Sequence, residues 1–110
     1  MSAEQRRYKR AVPSKSVVVY DAVTRSELGT LGNLSSHGLM VIATAPVDAD
    51  LLFQLEFEIL GPDDQPVVIN IGAESLWCSP VSQPDRYWAG FEIVEISDDD
   101  RATIGAVTGE

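Results

Sequence analysis

Leu51-Leu52-Phe53-Gln54-Leu55-Glu56-Phe57-Glu58-Ile59-Leu60 alternates between apolar and polar side chains for most of its length. Leu51, Phe53, Leu55, Phe57 and Ile59 fall on one side, with Gln54, Glu56 and Glu58 opposite. Successive side chains of a strand point to opposite faces, so period two over this length predicts a β-strand with one buried face. The next six residues, Gly61-Pro62-Asp63-Asp64-Gln65-Pro66, have the composition of a turn. Val67–Cys78 is then the returning strand of a hairpin, bent at Gly72.

Working outward, Arg86–Ile96 alternates again through Tyr87, Ala89, Phe91, Ile93 and Glu95. Upstream, the β-branched and aromatic run Ser16–Tyr20 predicts a first strand. A second is predicted over Leu28–Leu34, weakened by Gly29 and Gly32, and a third over Leu39–Ala43. Ser35-Ser36-His37-Gly38 between them reads as a turn, with Gly38 expected at a positive φ. Downstream, Ser97 followed by Asp98, Asp99 and Asp100 predicts an N-cap with acids in the first helical turn, where they complement the helix dipole. The helix should run to about Val107 and stop at Thr108-Gly109. Short strands joined by turns at this spacing indicate a sandwich or a barrel.

A chain of 110 residues has room for one core and one domain. Its longest apolar runs, Val17–Val19 and Leu39–Ala43, fall far short of the roughly 20 residues that cross a membrane. No apolar segment follows the basic start, so no secretory signal is expected. Cys78 is the single cysteine, which excludes an internal disulfide and favours a reducing cytoplasm. The net charge of −9 is divided unevenly. Arg6, Arg7, Lys9, Arg10 and Lys15 face only Glu4, so the first fifteen residues carry +4 and the remainder −13. An acidic body repels a long polyanion, whereas a short basic arm suits a small anion held at one place. A solvated basic terminus would show the same composition.

Two stretches carry chemistry. In Arg6-Arg7-Tyr8-Lys9-Arg10, Arg6 and Arg10 are four apart, so a loop or a helical turn brings both guanidiniums to one ligand. Arginine grips phosphate with two parallel hydrogen bonds, and the same fork matches O6 and N7 of guanine. In Asn33-Leu34-Ser35-Ser36-His37-Gly38, Asn33 and Ser35 should project from one face at a strand end and offer an amide and a hydroxyl. An ordinary polar turn would account for that stretch as well.

Together, an arginine pair, one strand and then N-x-S-x-x-G resemble the PilZ domain family, whose motifs are R-x-x-x-R and [D/N]-x-S-x-x-G. Leu76-Trp77 and Ala89-Gly90-Phe91-Glu92-Ile93 are similar to that family's late strands, where a tryptophan and a G-[FL]-x-[FI] stretch recur. The likeness runs from about Gln5 to the C-terminal helix. It implies an all-β fold, a six-stranded antiparallel barrel with a short C-terminal helix. The chain then divides into a flexible basic arm (1–15), the barrel (16–96) and the helix and tail (97–110).

The resemblance also implies a bacterial, cytoplasmic receptor or adaptor for cyclic di-GMP. Arg6 and Arg10 would hold phosphates and guanine edges, and Arg7 and Lys9 would add phosphate contacts. Asn33 and Ser35 would hydrogen-bond a guanine, and Gly38 would shape the loop. Trp77 would lend an aromatic face to a base or pack in the core. Asn33 replaces the commoner aspartate, losing a charged acceptor while keeping the shape. A dianion meeting the cationic arm should order it, and the altered surface would be read by an unidentified downstream protein. No cofactor or metal beyond the ligand is implied, nor nucleic acid, nor membrane insertion. The alternative within the fold is an interaction module that binds no nucleotide.

Catalysis finds no support in the spacing. His37 and Cys78 are the single imidazole and the single thiol; His37 falls inside the turn motif, and Cys78 reads as a small hydrophobe at a strand end. Asp98–Asp100 suits a helix start better than a metal.

Overall fold

A computed structural model of the chain describes residues 15–109. Six antiparallel strands are followed by one helix: β1 (Val18–Asp21), β2 (Ser26–Leu34), β3 (Gly38–Ala43), β4 (Leu52–Leu60), β5 (Pro66–Pro80), β6 (Tyr87–Ile96) and α1 (Asp98–Thr108). They close into a barrel in the order β1-β2-β3-β6-β5-β4, with β1 pairing back on β4. Closure removes the exposed strand edges that an open sheet would leave. All six predicted strands are present in an antiparallel barrel, and Arg6, Arg7, Lys9 and Arg10 lie outside the described residues.

The core is the inward half of the alternating pattern. Leu55 and Phe57 of β4 meet Ile69 and Ile71 of β5, and Val41 and Ala89 meet across β3 and β6. Phe53 and Phe91 pack edge to face with their centroids 5.6 Å apart. Leu51 departs from the alternation: it precedes β4, is 46% exposed, and exchanges hydrogen bonds with Ser75 instead of entering the core.

The turns are closed by aspartates and side-chain hydrogen bonds more than by glycine. Asp50, Asp64 and Asp85 hold positive φ, as does Arg25, and among described glycines Gly109 alone does so, at 79°. Short polar side chains tolerate that conformation because they bond locally to the backbone. Gly38 therefore does not take the expected left-handed conformation. It is the first residue of β3, opposite Glu92. The Ser35 hydroxyl closes the turn in its place, accepting from the amides of His37 and Gly38, each at 3.2 Å.

The helix covers the end of the barrel where this turn lies. Ser97 caps it by accepting from the Asp100 amide, Gly109 ends it, and Ile104 is fully buried in the barrel core. Burial of one such side chain is worth about 1.5–3 kcal/mol. Asp100 also accepts a hydrogen bond from the Asn70 amide at 3.1 Å, fastening the first turn of α1 to β5.

Candidate functional site

Strand alternation alone would bury both Asn33 and Trp77. Leu31 points inward, and residue 33 is two further along; Ser75 points inward, and residue 77 is two further along. A β-bulge intervenes in each case. The β2–β3 register shifts between Leu31 and Asn33, and the β5–β6 register shifts between Ser75 and Trp77. One extra residue reverses the facing of the side chains beyond it, and bulges re-aim side chains beside functional sites in this way. Asn33 and Trp77 both turn outward as a result.

The register places them in a single row across four strands: Asn33 opposite Met40, Met40 opposite Gly90, Gly90 opposite Trp77. The row borders a shallow pocket of about 180 Å³ lined by Asn33, Met40, Leu76, Trp77 and Gly90, with Leu39 and Phe91 beneath. The Asn33 amide donates to the Met40 sulfur at 3.3 Å, which orients the carboxamide. Trp77 is 42% exposed and lies over Gly90. A Cβ on Gly90 would stand 2.5 Å from the indole Cε2 and Nε1, so glycine is what lets the ring lie flat there. Trp88 lies over the bulged Gly32 in the same way, its Cζ3 2.6 Å from where a Cβ would stand. The pocket is smaller than the several hundred Å³ that enclose a drug-sized ligand, so it offers one face of a binding site.

Ser35 sits below this row and does not share Asn33's face. β2 ends at Leu34, and the Ser35 side chain turns inward, 1% exposed, with its hydroxyl directed at the His37 and Gly38 amides and the Gly38 carbonyl. Two more hydrogen bonds grip the turn from outside. Ile93 N–H donates to the His37 carbonyl at 2.9 Å, and Arg101 Nη1 donates to the Ser36 carbonyl at 2.9 Å.

Of the residues singled out in the sequence, Asn33 and Trp77 share the pocket, Ser35 and Gly38 build the adjoining turn, and the arm residues lie outside the described region. Met40 and Arg101 were missed, because cross-strand register and a contact 65 residues long leave no local signal, and Leu76 was visible only as the neighbour of Trp77. Gly90 was visible only inside the G-F-E-I stretch. Cys78 is part-buried, and its sulfur accepts from the Val47 amide at 3.4 Å. Among the described residues there is no group of three potential metal ligands and no helix long and apolar enough to cross a membrane.

This is a small closed antiparallel barrel with a shallow, one-sided pocket across four of its strands. Within that class the chain belongs to the PilZ domain family, whose family model matches residues 4–110. Two solved structures share the fold. An inhibitor of motility from Bacillus subtilis, MotI/DgrA, superposes with a TM-score of 0.77 at 14% identity, over 94% of this chain and 49% of that one. The PilZ domain of YcgR from Escherichia coli, solved with c-di-GMP, gives 0.71 at 17% identity, over 96% of this chain and 89% of that one. At such identities the likeness concerns the fold, and the chain spans about half the length of MotI. No curated protein matches the chain.

Proposed function

We propose that this chain is a cyclic di-GMP receptor that closes its basic N-terminal segment over a guanine seated on the Asn33–Met40–Gly90–Trp77 row. The observation that carries the reading is the meeting of Asn33 and Trp77 at one pocket beside the point where the N-terminal segment joins the barrel. That junction is marked by Leu31 N–H donating to the Val17 carbonyl at 2.8 Å. Arg10 is seven residue steps from Val17, a reach of about 23 Å when extended. The surface path from β1 to β5 crosses four strand spacings, about 19 Å. Arg10 is therefore within reach of Trp77, and Arg6 has chain to spare.

In this reading the base stacks on the Trp77 indole and the Asn33 amide reads its edge. Arg6 and Arg10 hold phosphate and guanine from the open side, with Arg7 and Lys9 adding charge. The shallow pocket supplies one wall and the arm the other. Ser35 and Gly38 contribute through the shape of the turn, since the Ser35 hydroxyl is already engaged by backbone groups. The chain then acts on another protein through the surface that the arm covers or exposes.

Calorimetric titration with cyclic di-GMP, with GMP and cyclic AMP as controls, tests the proposal. Saturable heat with cyclic di-GMP alone is expected. No heat at tens of micromolar would instead favour an interaction module that uses the same barrel without nucleotide.

A further inference from the structure

The described chain carries four basic residues: Lys15, Arg25, Arg86 and Arg101. Arg25 lies in the β1–β2 turn and Arg86 immediately before β6, both at the end of the barrel away from the Ser35–Gly38 turn. Arg101 is at the near end, and its guanidinium donates to a main-chain carbonyl, that of Ser36. Its own backbone is well anchored. Arg101 N–H donates to the Ser97 carbonyl, the neighbouring Asp100 side chain accepts from Asn70, and Ile104 one turn on is buried. A fixed helix thus holds one carbonyl of the turn while β6 holds the next, through Ile93 and His37.

We propose that Arg101 is a positioning residue for the ligand site. By fixing the Ser36 carbonyl it holds the turn that sets the spacing between Asn33 on β2 and Met40 on β3, and it ties α1 to that site. The ligand in this inference is the one proposed above. Because coupling is reciprocal, ligand bound on the row should in turn steady α1.

Arg101→Ala and Arg101→Lys, compared with wild type, provide the test, with Arg101→Gln in place of alanine if that variant fails to fold. In the ligand-free protein, hydrogen exchange at the His37 and Gly38 amides should quicken about tenfold in Arg101→Ala and return toward wild type in Arg101→Lys. Cyclic di-GMP affinity should fall about threefold to tenfold in Arg101→Ala. That loss should persist at about 0.5 M salt, where attraction between separated charges is screened out. Unchanged exchange at both amides, or a loss of affinity that disappears in salt, overturns the proposal. If wild type itself ignores cyclic di-GMP, the receptor reading fails, and exchange at the two amides still decides whether Arg101 holds the turn.

Discussion

Two outer faces of the same barrel differ sharply in charge. Across β2, β3, β6 and the late part of β5, the rows Thr30–Ile42–Trp88–Ser79 and Asn33–Met40–Gly90–Trp77 contain no charged side chain. Across β4 and at the end of β6 stand Glu56, Glu58 and Glu95, and Glu92, directly opposite Glu74, marks the boundary as the next outward residue after Gly90 on β6. Both faces obey the same strand alternation and serve the same core. A phosphate brought within 4 Å of a carboxylate costs about 1 kcal/mol even in water. In the proposed reading the glutamate face turns a dianion away and the neutral aromatic face receives it. The site is defined as much by where charge is absent as by which groups are present.

The sharpest way to break this contrast is to remove the cations that the neutral face lacks. Arg6→Ala and Arg10→Ala should each weaken cyclic di-GMP binding about a hundredfold or more, since each loses charge-assisted hydrogen bonds worth about 1.5–3 kcal/mol apiece. Their thermal midpoints should stay close to wild type, and calorimetry with a melting curve reads both. If both variants bind like wild type, the arm has no part in the site.

Next in size is the stacking surface. Trp77→Ala should cost about 1–3 kcal/mol of binding, roughly ten- to a hundredfold, while the barrel stays folded. Gly90→Ala should act in the same direction by lifting the indole, and a shift in tryptophan emission without ligand would report it. Ser35→Ala should lower stability by about 1–2 kcal/mol by leaving two amides without their acceptor, and weaken binding only several-fold. Denaturant unfolding measures the first effect and titration the second.

The smallest change belongs to the boundary between the two faces. Glu92→Gln relieves a like-charge pair across β5 and β6 and should raise stability by about 0.2–1 kcal/mol. It should not weaken binding. A loss of affinity there would mean that the Glu92 carboxylate itself takes part in the site.

Much of the barrel was legible in the sequence because its physical signal is local. Leu55 and Phe57 alternate with glutamates, and Ser97 stands before three aspartates. The element ends were less legible: β1 begins at Val18, two residues later than its β-branched run suggests, and Leu51 stays outside β4. Gly38 was misread because a side chain, Ser35, does in the turn what a left-handed glycine does elsewhere. The assembly of the site was hidden for a different reason. Asn33 and Trp77 come together only through two bulges and a strand order in which β3 pairs with β6, and neither can be read from periodicity. Motif likeness pointed to both residues without saying that they share a pocket.

Titration with cyclic di-GMP, followed through backbone and indole resonances, shows where on the barrel the dinucleotide seats. Large shifts are expected at Asn33, Met40, Gly90 and the Trp77 indole N–H, together with the Arg6–Arg10 segment, with quiet signals at Glu56 and Glu58. Shifts centred on Glu56 and Glu58, or none in either place at saturating ligand, would mean that the Asn33–Met40–Gly90–Trp77 row is not the binding site.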